Sequence, residues 1–279
     1  MIVVRFSGGL GNQLFQYAFF CYLRNNGVHV LGDIKEYSLF QVHDGFCLDK
    51  VFELDVPIAC EKILLDVTNK YGYRRFFHKI GFKKCYIKES EFLFDFTSDN
   101  NYYIDGFFQD SFFMKNVGYL KFNPLFFTLF KDLIDEISSA NSVSVHLRMG
   151  DYVNNSLYQE QSFEYYLTAF ELLLSKINKR LIFFIFSDDT NAAFTYFTNS
   201  RFIKYNIKVV DRIESVPGKD LFLMSLCKFN IITNSTYSYW AAYLNQNINK
   251  LVIAPSKWYT NKRMNFDIIS KMPESFILL

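Results

Sequence analysis

The sequence predicts an α/β protein of two Rossmann-like halves, on three observations. The chain opens with a strand, a glycine-rich turn and a helix, Ile2–Phe6 followed by GGLGNQLFQYA from Gly8 to Ala18. From Ser142 onward, five apolar strand segments alternate with amphipathic helices, the rhythm of a doubly wound parallel sheet. Half of the 279 residues are hydrophobic and 19% aromatic, too apolar for disorder and ample for two cores.

Taken in order, Ile2–Phe6 reads as a strand, 13–25 as a helix and Val28–Asp33 as a strand, one right-handed βαβ unit. From about Glu36 to Lys131 the aromatic runs show no clear period, and no element is assigned there. Beyond them, SVSVHLR is a strand. Residues 162–177 form an amphipathic helix on the spacing of Phe163, Tyr166, Leu167 and Phe170. LIFFIFSDD, IKVVD, NIIT and LVIAP follow as strands, with DLFLMSLC and YSYWAAYLN as helices. The halves are expected to join near 131–141, giving a first domain over 1–135 with an irregular aromatic-rich insertion and a second over 136–279.

The opening turn invites comparison with the dinucleotide fingerprint G-x-G-x-x-G, whose third glycine lets the helix pack closely on its strand. Gly9 and Gly11 fit, Leu14 fills the third position, and Asp33 lies where a ribose-binding acid belongs. That pattern supports an NAD-dependent sugar dehydrogenase as one alternative. Asn12 and Gln13 point elsewhere, because amides at a helix N-terminus offer donors and acceptors that suit sugar hydroxyls better than a pyrophosphate. A tight turn with capping polar groups is the structural alternative.

Val145-His-Leu-Arg-Met-Gly-Asp-Tyr152 is the sharpest signal. Alternation along a strand sends Ser144, His146 and Arg148 to one face and Val143, Val145 and Leu147 to the other. Both faces of a parallel sheet are normally covered, so a buried His and Arg at a strand's C-terminal end are costly unless a ligand pairs with them. Nucleotides bind at that edge, and Arg can clamp a diphosphate through two parallel charged hydrogen bonds. A structural Arg148–Asp151 ion pair is the alternative. Asp188 and Asp189, closing FSDD, could read a base or ribose, or Ser187 or Asp188 could instead cap the next helix. Asp211 is placed to accept the two N–H groups of a guanine edge. Thr233-Asn234-Ser235-Thr236 precedes a helix whose free N–H groups, dipole and hydroxyls suit a phosphate, although plain capping looks the same.

Thirty basic residues against 28 acidic ones give no global argument for a nucleic-acid partner. Five cysteines form no CxxC pair and fit free thiols in a reducing cytoplasm, and the four histidines lack metal-ligand spacing. Neither a P-loop nor an Asp-x-Asp is present. A leader peptide and a spanning segment are not expected either, so a cytoplasmic location is. Lys70–Lys88 carries seven Lys/Arg and six aromatics, which suits nucleic-acid stacking, peripheral contact with the inner membrane, or a solvated face over an aromatic core. A glycan- or nucleic-acid-binding module is therefore a further alternative.

GGLGNQLFQYA, YIDGFFQDSFF (Tyr103–Phe113), HLRMGDY, FSDD and DLFLMSLCKFNIITNSTYSYWAAYL together resemble, in order, the motifs of bacterial α-1,2-fucosyltransferases, glycosyltransferase family 11. The resemblance implies a GT-B-like fold, its two Rossmann-like domains facing each other across a cleft. It implies transfer of L-fucose from GDP-β-L-fucose, with inversion and without metal or other cofactor, to the 2-hydroxyl of a terminal β-galactoside. Surface-glycan or O-antigen synthesis, with a lipid-linked oligosaccharide as one form of acceptor, would be the setting. On this basis Arg148 would hold the diphosphate, His146 the nucleoside side, and Ser235 or Thr236 the β-phosphate, with Asp188, Asp189, Asp211 and Asn234 also on the donor side. Gly9, Gly11, Asn12, Gln13, Asp105 and Gln109 would face the acceptor. Arg148, Asp151 and Asn12 are the expected catalytic residues, and Asp33, Asp105 and Asp151 the candidates for a base. Tyr237 and Tyr239 stand where the family commonly has Phe and Trp, and FSDD lacks its usual following Trp.

Overall fold

A computed structural model of the chain describes residues 1–39, 44–68, 86–92, 101–149, 156–159, 161–211 and 216–279. The chain divides into two compact units, Met1–Lys121 and Phe122–Leu279. The division falls after Lys121 rather than near residue 135, because the short helices Leu125–Leu129 and Lys131–Ser139 belong to the second unit. Phe126, on the first of them, meets Phe222 of that unit at 5.2 Å.

In the first unit four parallel strands, β1 (Ile2–Arg5), β2 (Val30–Asp33), β3 (Tyr86–Lys88) and β4 (Tyr102–Asp105), lie in the order β2-β1-β4-β3. Strand β1 thus has β2 on one side and β4 on the other, and the crevice for a ligand falls at the C-terminal ends of β1 and β4. Helix α1 runs from Leu10 to Asn25, starting three residues before the expected 13. It buries twelve of its sixteen residues, so its apolar character runs nearly all round, as in a core helix. Past its end, Gly27 adopts φ +77° while its N–H donates to Arg24 O and that of Val28 to Leu23 O. That paired closure satisfies carbonyls the helix leaves open, and it needs a residue without a Cβ. Strands β3 and β4 sit in the stretch where periodicity predicted no element; each has only three or four residues, too few to show an alternation.

The second unit holds six parallel strands: β5 (Ser142–Leu147), β6 (Ile182–Ser187), β7 (Ile207–Val209), β8 (Phe229–Ile231), β9 (Val252–Ala254) and β10 (Phe276–Leu278). Their order, β10-β9-β8-β5-β6-β7, is that of a doubly wound fold whose direction reverses between β5 and β8. Five of the six were expected; β10 was not, because its three residues carry no pattern of their own. Every residue of β5 is buried, as a central parallel strand requires. Helix α8 (Phe163–Lys176) is capped by Ser162, whose Oγ accepts from Tyr165 N–H. Its buried stripe is Tyr165, Tyr166, Ala169, Phe170 and Leu173, with Phe163 and Leu167 at the margins rather than in the centre. Phe170 stacks on Phe183 of β6 at 3.9 Å and 10°. Cys21, Cys47, Cys60 and Cys227 are free thiols. No helix among the described residues is long and apolar enough to cross a membrane.

Candidate active site

The reversal between β5 and β8 puts the C-terminal ends of both strands at one crevice. From β5 come His146 and, just past the strand, Arg148; from β8 comes the turn Thr233–Ser235, which leads into helix α11 (Thr236–Leu244). Register pairs Leu147 with Ser187, so Asp188, one residue beyond β6, stands level with Arg148. The two form an ion pair at 3.1 Å, with side chains 26% and 14% exposed, and the other oxygen of Asp188 accepts from Met149 N–H at 2.8 Å. Asp188 is therefore tied to the strand end that carries Arg148. Its contacts in this structure are to the chain itself.

The polar face of β5 is largely satisfied from within. Asn230 of β8 donates to Ser144 Oγ at 2.7 Å and to Met224 O, while its own oxygen accepts from Asn245, which also donates to Cys227 O. His146 is the exception: it is buried and its Nδ1 has no hydrogen-bond partner among the described residues. Burial, reinforced by the Arg148 charge, pulls its pKa down to about 3, so the imidazole is neutral at pH 7.

The remaining residues expected on the donor side divide by what they touch. Asp189 caps the helix Thr190–Phe197 by accepting from Ala192 N–H at 2.9 Å, and Ser235 caps α11 by accepting from Tyr237 N–H. Capping at Ser235 is the alternative the sequence left open, whereas the cap after β6 falls on Asp189 rather than on the expected Ser187 or Asp188. Asn234 is corrected outright. It is 3% exposed, its amide donates to Gln159 O and Trp258 O, and its oxygen accepts from Thr233, so its capacity is used in holding loops together. Thr236 is half-buried at the helix start, and Asp211 is exposed beyond β7, where it borders cavities of about 510 and 660 Å³.

Two features of this unit escaped the sequence. Lys219, 4% exposed, donates to the Asp211 carbonyl and faces the Phe130 ring, and burial lowers its pKa; a lysine opening a helix reads on paper as a solvated one. Tyr237 turns its hydroxyl oxygen to accept from Leu221 N–H at 3.0 Å, satisfying one of the open donors of the helix Lys219–Leu226.

In the first unit the GGLGNQ turn is built around Gly8, at φ +74°, where an added Cβ would sit 2.8 Å from Asn12 Nδ2. Gly9 accepts the first helical N–H groups, from Asn12 and Gln13, and Gly11 is buried in the first turn of α1. Gln13 does not face a ligand. It is fully buried, donating to Gly8 O and Gly45 O and accepting from Cys47 N–H. Asn12 is half-buried, and its Oδ1 accepts from Gln109 Nε2 at 3.0 Å, across 97 residues of sequence. Arg5 makes two contacts to Asp105, at 3.0 and 2.9 Å, and two more to Glu36; Tyr86 also donates to Asp105, and Tyr103 to Asp33. Both candidate bases in this unit are thus already engaged. Asp151 and residues 70–85 of the basic segment lie outside the described residues. Among the described residues, no group of three His, Cys, Asp or Glu is arranged to hold a metal.

This architecture, two parallel α/β units with an arginine at a reversal point, can be compared with known proteins. The sequence model of Glycosyl transferase family 11 matches residues 1–274. The chain is 30% identical to an alpha-1,2-colitosyltransferase of Escherichia coli, over 95% of this chain and 94% of that protein. It is 31% identical to the O-antigen biosynthesis glycosyltransferase WbnK of Escherichia coli, over 91% and 93%. In structure it is similar to the fucosyltransferase NodZ from Bradyrhizobium, at TM-score 0.54 and 14% identity over 87% of this chain and 91% of that one. It is also similar to POFUT1 in complex with GDP-fucose, at TM-score 0.53 and 13% identity over 91% and 97%. The fold is the GT-B-like α/β fold of these enzymes. The chain belongs to glycosyltransferase family 11.

Proposed function

We propose that the chain transfers L-fucose from GDP-β-L-fucose, with inversion, to the 2-hydroxyl of a terminal β-galactoside in surface-glycan synthesis, and that it needs no metal. The carrying observation is Arg148, presented at the C-terminal edge of the central strand by its pairing with Asp188. Charge builds on the β-phosphate as the sugar–phosphate bond breaks, and a preorganised guanidinium stabilises the transition state more than the ground state. The N-terminal end of α11 adds its dipole from the neighbouring strand. Neutral His146 adds no second positive charge and offers a hydrogen bond to the nucleoside side. In this reading the second unit binds the donor, and Asn12 and Gln109 of the first unit bind the acceptor.

The relatives' names support the α-1,2 linkage and O-antigen setting, and the fold likeness supports a GDP-sugar donor. The colitosyltransferase favours a second reading, in which the donor is GDP-colitose, whose sugar is fucose without its 3-hydroxyl. The test is an acceptor screen with lactose, N-acetyllactosamine and Galβ1,3GalNAc against each donor, with product linkage assigned by NMR. An α-1,2-fucosylated galactose is the expected product. Any other linkage, or transfer from GDP-colitose alone, overturns the first reading.

A further inference from the structure

The loop between β4 and its short helix, Gly106–Asp110, carries Gln109, and its shape is enforced from outside. The register of β3 on β4 ends at Lys88 and Asp105. One residue further, the Glu89 carboxylate replaces the missing strand by accepting from both Phe107 N–H at 2.9 Å and Phe108 N–H at 3.0 Å, through a single oxygen. Gly106 leaves no space between them, since a Cβ there would come 2.5 Å from Glu89 Cβ. Gln16 of α1 donates to the Gly106 carbonyl at 3.1 Å.

Held in this way, Phe108 takes φ +51°, the left-handed region that a bulky residue avoids. Its ring is 2% exposed and stacks on Phe19 of α1 at 3.7 Å and 5°. Strain of this kind persists only where the surroundings over-determine it, and it gathers where a side chain must be aimed. The aimed side chain is the next one, Gln109, which donates to Asn12 Oδ1. That bond leaves Asn12 Nδ2 without a partner among the described residues and fixes the orientation of both amides.

We infer that Glu89 is a positioning residue: it holds the loop in the strained form that pairs Gln109 with Asn12 and so fixes acceptor binding. The inference rests on the reading that these two amides bind the acceptor, and nothing in the family motifs points to Glu89.

The test compares Gln109→Ala, Glu89→Ala, Glu89→Gln and the double variant Glu89→Ala/Gln109→Ala, with GDP-fucose saturating and lactose varied. GDP affinity is measured by calorimetry on the same preparations. Glu89→Ala is expected to raise the lactose KM about tenfold with GDP affinity unchanged. Glu89→Gln, which keeps an accepting oxygen, should lie near wild type, and the double variant should be no worse than Gln109→Ala. If Glu89→Ala does not fold, Glu89→Asp keeps the charge but is one methylene short of the two N–H groups and should show the same rise in KM. A raised KM for Gln109→Ala beside a wild-type KM for Glu89→Ala or Glu89→Asp overturns the inference alone. So do additive effects in the double variant or a parallel loss of GDP affinity. A wild-type KM for Gln109→Ala overturns the acceptor reading, and the inference with it.

Discussion

Arg148 and Asp188 form a half-buried pair whose arginine is proposed to do chemistry, and the pairing shapes what a substitution should do. Arg148→Lys leaves Asp188 a cationic partner, so the fold should survive, while the planar two-point grip on a diphosphate is lost. The expected loss is about 10²–10³ in kcat, with the unfolding midpoint close to wild type. Wild-type turnover, or inactivity that tracks a lowered midpoint, removes Arg148 from the mechanism. His146 supplies a pH test. Its pKa is depressed in the folded state, so between about 6.5 and 3 the unfolded chain binds the extra proton, and stability is lost as pH falls through that window. Going from pH 7.5 to 5.0, wild type should lose about 2 kcal/mol more than His146→Asn. Urea unfolding of both proteins at the two pH values measures the difference; parallel losses would show that His146 titrates freely.

At the scale of elements, the turn before α1 separates two adjacent amides with different duties. Gln13→Ala should destabilise by about 2 kcal/mol, because it strands the buried Cys47 N–H and removes the donor to the half-buried Gly45 carbonyl, while Gly8 O keeps Tyr37 as a donor. Asn12→Ala should leave the unfolding midpoint nearly unchanged and instead raise acceptor KM or lower kcat, with GDP affinity intact. Urea midpoints and initial rates on both variants decide it, and exchanged phenotypes would reverse the assignment. The contrast marks where the sequence was legible. Both amides stood out because polar residues at a helix start need a reason, yet the reason for Gln13 lies at Gly45 and Cys47, beyond local pattern. Strand β5, with its alternation, could be read residue by residue, and His146 and Arg148 with it. Asp188 lies at the expected edge, but its pairing with Arg148 was not foreseen, since pairing across strands depends on a register that sequence does not print. Glu89 was invisible for the same reason: its partners are N–H groups eighteen and nineteen residues away.

At the scale of the whole molecule the open question is the donor, and hydrogen-bonding energetics give it an asymmetric test. A site built to bond a sugar hydroxyl leaves its own polar groups unpaired when that hydroxyl is missing, which can cost about 10⁴–10⁵ in kcat/KM. A site built for the deoxy sugar rejects an added hydroxyl far less, on the order of 10². Fucose and colitose differ in this way at carbon 3. If the chain is a fucosyltransferase, GDP-fucose should exceed GDP-colitose in kcat/KM by more than about 10² with the same acceptor. A smaller ratio, or a reversed one, moves the chain to the chemistry of its 30% identical relative. Both assays belong in EDTA as well as in Mn²⁺. A diphosphate neutralised by Arg148 and the start of α11 needs no divalent ion, so rates should agree within about twofold. A tenfold loss in EDTA that Mn²⁺ restores would mean that the leaving group depends on a metal and that the arginine is not its principal counter-charge.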